Sequence, residues 1–86
     1  MSEYFVYIVR CSDGSLYTWY SNDVQKRVER HNAQRWAQYT KWRAPVKLVY
    51  IEKFWERSEA MKREYAIKDL NKKQKEILIL NTPFNI

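Results

Sequence analysis

The sequence predicts a small α/β domain of the α+β type, in which a three-stranded antiparallel sheet is flanked by about three helices in the order β-β-α-β-α-α. Three observations predict it. YFVYIVRC and SLYTWY are rich in aromatic and β-branched residues and are joined by the turn SDGS, which indicates a β-hairpin. APVKLVYIEKF is a third strand of similar character. SNDVQKRVERHNA, RSEAMKREYAIKDL and NKKQKEILIL have helical spacing, so one helix follows the hairpin and two follow the third strand.

The hairpin predicts that two tyrosines are neighbours. Alternation along the first strand puts Tyr7 on one face, and alternation along the second puts Tyr17 and Trp19 on one face. Pairing of the two strands can therefore bring Tyr7 and Tyr17 together. Cross-strand aromatic packing is the ordinary explanation for such a pair, and it competes with a functional one.

The first helix predicts a cation and an imidazole on one face. Val24 and Val28 form its apolar stripe, while Arg27 and His31 are four residues apart and lie beside that stripe. A guanidinium and an imidazole at one edge can hold a phosphate and move a proton. A solvated helix face carrying two ordinary polar residues explains the same spacing.

The second helix places a carboxylate towards the core. Ala60 and Ile67 belong to its apolar stripe, and Glu64 falls between them. A carboxylate in that position requires a partner. Either a neighbouring Arg or Lys pairs with it, or it binds a hard cation together with water molecules.

The helix starts are predicted from side chains that accept hydrogen bonds from backbone amides. Ser21 or Asn22 is expected to cap the first helix, Ser58 the second and Asn71 the third. The segment 81–86 is predicted to be an irregular tail.

The size and composition of the chain limit the kinds of protein it can be. With 86 residues we expect a single domain over 1–86, with a core over about 4–80 and a site on a surface face. One cysteine and one histidine provide neither an internal disulfide nor a zinc cluster, and Cys11 is predicted as a strand residue beside the turn. Because the sequence shows neither a membrane-spanning run nor a signal peptide, a cytoplasmic location is expected.

The charge of the chain indicates a polyanionic partner. Sixteen Lys and Arg against ten Asp and Glu give a net charge of +6. Clustered cations bind phosphates through counterion release, although small domains can also be basic for solubility alone.

The order of the motifs resembles the GIY-YIG endonuclease superfamily, and most closely its small stand-alone bacterial members. The resemblance rests on the ordered set FVYIVRCSDGSLYT, RVERHN, YT, PVKLVY and EAMKREYAIK, and it runs from about residue 4 to residue 79. It implies a metal-dependent DNA endonuclease that hydrolyses phosphodiester bonds with one divalent cation, Mg²⁺ or Mn²⁺.

Site residues follow from this resemblance position by position. Tyr7 matches the tyrosine of the first motif half, Tyr17 that of the second, and Arg27 the helix arginine. His31 matches a position held by His or Tyr, and Glu64 matches the metal-binding glutamate. In this scheme Arg27 stabilises the phosphate charge, and Tyr7, Tyr17 or His31 orients or deprotonates the water.

DNA is the partner implied, and the basic side chains near these positions are expected to bind it. They are Lys26, Arg30, Arg35, Lys41, Arg43 and Lys68. A non-cleaving module that binds nucleic acid on the same fold is the alternative function.

Tryptophan replaces glycine where the resemblance is otherwise strong. The second motif half has Trp19 in the place of the family's glycine, and Trp36 and Trp42 also stand where relatives usually carry glycine. A degenerate nuclease, indoles that stack on unpaired bases, and a sequence altered from its natural form each explain this pattern. We expect the fold to survive and catalysis to be impaired if Trp19 covers the active face.

Overall fold

A computed structural model describes residues 3–32 and 45–82, and these residues form the predicted fold. The elements, in chain order, are β1 (Tyr4–Arg10), β2 (Leu16–Ser21), α1 (Val24–Asn32), β3 (Lys47–Phe54), α2 (Arg57–Lys68) and α3 (Lys72–Asn81). The predicted α+β class and the order β-β-α-β-α-α are confirmed. Within these two segments, no helix is long and apolar enough to cross a membrane.

The three strands form one antiparallel sheet in the order β2-β1-β3. The hairpin register pairs Tyr7 with Trp19 and Val9 with Tyr17, so all four residues lie on one face. The turn between β1 and β2 contains Gly14, whose φ of 85° is a conformation that residues with a side chain rarely adopt. Cys11, predicted as a strand residue, instead follows the end of β1, and its amide donates to the Ser15 carbonyl at 2.8 Å.

The central strand is buried on both faces, which fixes the two helical layers. Val6 and Ile8 pack with Ala60 and Ile67 of α2 on one side of the sheet. The other side holds Tyr7, Val9, Cys11, Val24 and Val46 in a second buried cluster. The helices α1 and α2 therefore cover opposite faces of the sheet.

The cap of the first helix differs from the prediction. Asp23 Oδ1 accepts a hydrogen bond from the Lys26 amide at 3.1 Å, which makes Asp23 the capping residue rather than Ser21 or Asn22. Ser21 has another role, since its Oγ accepts from the Asp23 amide at 2.9 Å. Residues 21–23 all have side chains suited to capping, and only the path of the chain decides among them.

Of the caps predicted for the other two helices, one is wrong and one is confirmed. α2 begins after Glu56, which makes no side-chain capping bond, so Ser58 lies inside the first turn and the predicted cap is wrong. Asn71 caps α3 as predicted, accepting from the Gln74 amide at 2.8 Å while Gln74 Oε1 accepts from the Asn71 amide at 2.9 Å. The predicted irregular tail is wrong at its first residue, because α3 continues through Asn81.

Two side-chain contacts fix the ends of the fold. Both terminal nitrogens of Arg10 donate to the carboxylate of Glu76, at 2.6 and 2.7 Å, which holds α3 against β1. At the end of α1, the amide group of Asn32 exchanges two hydrogen bonds with the backbone of Val46. This second contact ties the helix to the start of β3 across the segment that the structure leaves undescribed.

Candidate active site

Tyr7 lies at the centre of the sheet face that α1 covers. Its side chain is fully buried, and in the hairpin register it lies opposite Trp19. Burial raises the pKa of the Tyr7 phenol strongly, and the neighbouring Tyr17 and Glu64 raise it further, against the lowering effect of Arg27. Tyr7 is therefore a neutral phenol at neutral pH.

Tyr17 is half-buried on the same face and has the same electrostatic neighbours. Burial raises its pKa from the ordinary 10.0, Glu64 adds to the increase, and Arg27 opposes it. Its ring stacks on that of Trp19, with centroids 6.2 Å apart and planes 14° from parallel. Arg27 and Glu64 both act electrostatically on the two tyrosines, and these four residues, Tyr7, Tyr17, Arg27 and Glu64, are called the active cluster below.

Arg27 reaches the active cluster from α1 and also lines an open cleft at the β2 edge. The other walls of that cleft come from Tyr4, Trp19, Tyr20, Ser21, Asn22 and Arg57. Arg57 Nη2 donates to the Tyr20 hydroxyl at 3.2 Å, so a second guanidinium also lines this cleft. The cleft therefore carries two guanidinium groups together with the aromatic rings of Tyr4, Trp19 and Tyr20.

Glu64 enters from α2 and is buried, with 5% of its surface exposed. Ala60 and Ile67 on either side of it are completely buried, as their spacing predicts. Within the described segments, Glu64 Oε2 is buried and makes no hydrogen bond. Burial raises the pKa of this carboxyl, while the ammonium of Lys68 lowers it.

Lys68 and Trp19 complete the surroundings of this carboxylate. The Lys68 Nζ lies 3.7 Å from Glu64 Oε2, an ion pair outside hydrogen-bond distance. The same Nζ lies 3.9 Å from the centroid of the Trp19 ring, which is a cation–π contact. Both alternatives considered for Glu64 thus remain: a lysine is near, and an oxygen lone pair is still available.

Comparison with known proteins shows the family of this chain. The family model described as the GIY-YIG catalytic domain matches residues 3–77. The chain belongs to the GIY-YIG family.

Relatives of similar size support the same membership. UPF0213 proteins of Staphylococcus aureus strains N315 and MW2 are 57% identical over 79 residues, which cover 92% of this chain and 96% of theirs. The solution NMR structure of a UPF0213 protein from Bacillus halodurans is 41% identical, has a TM-score of 0.60, and is matched over 91% of this chain and 83% of that one. A solution NMR structure of a protein from E. faecalis is 34% identical, with a TM-score of 0.61 over 100% of this chain and 99% of that one.

Several predicted site residues lie outside the cluster or outside the described residues. Lys26 and Arg30 are exposed on α1, and both line an open surface cleft with Arg27. His31 belongs to α1, but its side chain lies outside the description. The predicted positions Arg35, Lys41 and Arg43, with Trp36 and Trp42, fall in residues 33–44, which also lie outside it.

The GIY-YIG family implies a divalent metal, and the donor set can be compared with that need. Within residues 3–32 and 45–82, no group of three or more His, Cys, Asp and Glu side chains could hold a metal ion. Glu64 Oε2 is a buried carboxylate oxygen without a hydrogen bond, which suits a hard cation bound by one protein ligand, with water and substrate oxygens completing its shell. The residues therefore fit such an ion, with Lys68 as a competing positive charge.

The sequence analysis assigned Asn32 no role and assigned Lys68 only a contact with DNA, not its contacts with Glu64 and Trp19. The spacing of four between Glu64 and Lys68 on one helix is a signal for the ion pair. No spacing rule places Lys68 on Trp19, because that contact depends on how α2 lies against β2. The bonds from Asn32 to Val46 likewise join residues 14 positions apart.

Proposed function

We propose that this GIY-YIG protein is a metal-dependent endonuclease that hydrolyses phosphodiester bonds in DNA. The observation that carries the proposal is the position of Glu64, a buried carboxylate with an unbonded oxygen, whose charge acts on both tyrosines, as does that of Arg27. A purely structural carboxylate in a core would have its oxygens fully paired. Membership of a nuclease superfamily supports the same conclusion.

Glu64 is the residue that would hold the divalent ion, Mg²⁺ or Mn²⁺. When bound, such an ion supplies positive charge to the phosphate and lowers the pKa of water. A single protein ligand is typical for Mg²⁺ in phosphate chemistry, because this ion keeps several waters and also uses substrate oxygens.

Arg27 would bind the scissile phosphate and stabilise the charge that builds on it. A planar guanidinium can donate two parallel hydrogen bonds to phosphate oxygens, which an ammonium cannot. Its place beside both tyrosines and at the mouth of the β2-edge cleft supports this role.

The tyrosines would act as neutral hydroxyl groups that orient the attacking water or a phosphate oxygen. Their raised pKa values oppose a phenolate at neutral pH, so neither is suited to accept a proton unaided. His31, whose ordinary pKa is near neutrality, is the remaining protein candidate for the base.

We further propose that six basic residues contact the DNA backbone: Lys26, Arg30, Arg35, Lys41, Arg43 and Lys68. Arg30 and Lys26 extend the cationic surface of Arg27 along α1. Such contacts give affinity that falls as salt rises and that does not depend on sequence. We also propose that residues 1–86 act as one domain and that it works in the cytoplasm.

The alternative function, a nucleic-acid-binding module that does not cut, is favoured by one observation. Trp19 lies opposite Tyr7, and its ring covers Tyr17 and holds Lys68 beside Glu64. An aromatic ring among cations can stack on an unpaired base without any chemistry following.

Cleavage assays on supercoiled, branched and single-stranded DNA with Mg²⁺ or Mn²⁺ separate these functions. We compare the unmodified chain with Glu64→Gln and with Glu59→Gln, which changes an exposed carboxylate on the same helix and serves as the matched control. Metal-dependent cleavage that Glu64→Gln abolishes and Glu59→Gln leaves intact supports the nuclease. Salt-sensitive DNA binding without cleavage by any of the three proteins or by Trp19→Gly supports the binding module.

A further inference from the structure

Lys68 occupies the place beside Glu64 where a bound cation would lie. Its Nζ is 3.7 Å from the buried, otherwise unbonded Oε2, and the side chain of Glu64 is only 7% exposed. Among the described residues, Lys68 is the cation that forms an ion pair with the Glu64 carboxylate. A divalent ion that binds Oε2 must therefore approach within a few ångströms of an existing positive charge.

Trp19 is what keeps the ammonium there. The ion pair with Glu64 lacks a hydrogen bond, and 36% of the Lys68 side chain is exposed, so attraction to the carboxylate alone would hold a long flexible chain weakly. The indole face provides a second contact on the same Nζ, at 3.9 Å from the ring centroid. Tyr17 and Tyr20 stack on this ring from β2, with centroids 6.2 and 6.1 Å away, and so fix its orientation.

We propose that Lys68, held on the Trp19 ring, is an intrinsic cation that competes with divalent metal for Glu64. The proposal rests on the proposed function only in taking Glu64 as the metal ligand. Lys68 sets the metal affinity of the site, and Trp19 is the positioning residue that acts through Lys68. Since the competitor belongs to the chain, it cannot be diluted away, and the metal concentration needed to fill the site rises accordingly.

Direct metal binding tests this without any catalytic assay. Mn²⁺ binding to the full chain is measured by electron paramagnetic resonance of the free ion, without DNA. Lys68→Met keeps the length and apolar stem of the side chain but removes its charge, and Lys62→Met removes the same charge from an exposed position of the same helix. Trp19→Leu keeps apolar bulk on β2 but removes the π face that holds the ammonium.

The expected results follow from the removal of a charge next to the ligand oxygen. Lys68→Met should bind Mn²⁺ about tenfold more tightly, and Trp19→Leu about threefold more tightly, as loss of a partly exposed cation–π contact allows. Lys62→Met should change the affinity less than about twofold, since an exposed charge is screened. Adding Glu64→Gln to Lys68→Met should remove the gain.

Other outcomes overturn the role of Lys68, and they can be told apart from a failure of the proposed nuclease function. Glu64-dependent Mn²⁺ binding that Lys68→Met leaves unchanged or weakens overturns the role of Lys68 while the metal site stands. An equal gain in Lys62→Met overturns it as well, since net charge would then be the cause. If Mn²⁺ binding in every variant is independent of Glu64, the metal site and this inference both fail. Tight, Glu64-dependent binding by Lys68→Met in a protein that never cuts DNA supports the inference and contradicts the nuclease.

Discussion

Trp19 lies directly opposite Tyr7 in the register of the β1–β2 hairpin. From the resemblance to the family, a glycine is expected at the position where Trp19 pairs with Tyr7. A glycine there would leave the backbone of β2 open beside Tyr7 and Tyr17, whereas the indole stacks on Tyr17 and reaches Lys68.

Replacing this indole by glycine should increase DNA cleavage. Trp19→Gly removes the ring from the active face and frees Lys68, and we expect a rate gain of about tenfold or more, the size of effect that one misplaced group causes. The gain is measured as the initial rate at which supercoiled plasmid is nicked or cut at saturating Mg²⁺. Full activity of the unmodified chain, with no gain in the variant, would sink the idea that the indole obstructs the site.

The stability of that variant needs its own control. Glycine in a strand costs backbone entropy, and a partly buried ring is lost, so Trp19→Gly is expected to unfold at a lower urea concentration. Trp55→Gly is the matched comparison, because Trp55 is 58% exposed and lies next to the end of β3. It should not raise cleavage.

Arg27 should not be replaceable by lysine. Arg27→Lys keeps the charge but loses the planar pair of donors, and we expect a fall in the cleavage rate of about 100-fold. Arg30→Lys, on the exposed side of the same helix, should change DNA affinity slightly and leave the rate of the bound complex intact. Equal rate losses in both variants would remove Arg27 from its assigned role.

The raised pKa values of Tyr7 and Tyr17 predict how the stability of the metal-free protein depends on pH. The pKa of Tyr7 and of Tyr17 is raised by folding, so the neutral phenol is favoured in the folded state. This stabilisation is fully present below the ordinary value of 10.0 and is lost as the pH rises through the folded-state pKa. The free energy of unfolding should therefore fall above pH 10.

Comparison of two phenylalanine variants isolates the contribution of the buried phenol. Tyr7→Phe should make the fall in unfolding free energy above pH 10 shallower. Tyr65→Phe, at a position 70% exposed, should leave the slope unchanged. Urea unfolding at a series of pH values gives both slopes, and identical slopes for the two variants would contradict the assignment of Tyr7 as a phenol kept neutral by burial.

The ion pair of Arg10 with Glu76 should stabilise the docking of α3 on the sheet. Its two hydrogen bonds, at 2.6 and 2.7 Å, join side chains that are 34% and 35% exposed, so we expect Arg10→Ala to cost about 1 kcal/mol rather than the value of a buried pair. The Lys72 Nζ lies 3.8 Å from the same carboxylate, so Lys72→Ala should lower the free energy of unfolding much less. Urea midpoints measure both, and equal losses would show that geometry does not matter at this contact.

Periodicity predicted the parts of the site that each element determines alone. Alternation along β2 placed Trp19 and Tyr17 on one face, and the stripe of α2 placed Glu64 between Ala60 and Ile67, and the structure has both arrangements. These are local consequences of strand and helix geometry, so neighbouring residues suffice to predict them.

The remaining features depend on how separate elements meet. Lys68 reaches Trp19 only because α2 packs against β2, and Asn32 reaches Val46 only because the chain returns to the end of α1. Asp23 rather than Ser21 caps α1 because of the direction in which the chain leaves β2, and residue preference does not encode that direction.

The most direct test of the account is DNA cleavage by Trp19→Gly with and without Glu64→Gln, in Mg²⁺ and after its removal by a chelator. In this background the indole no longer obstructs the active cluster, so the carboxylate is tested by itself. The account predicts metal-dependent cleavage by Trp19→Gly and none above background when Glu64→Gln is added. Equal cleavage by both proteins, or none by Trp19→Gly although it folds and binds DNA, would contradict the proposal that Glu64 is the metal-binding residue of a nuclease.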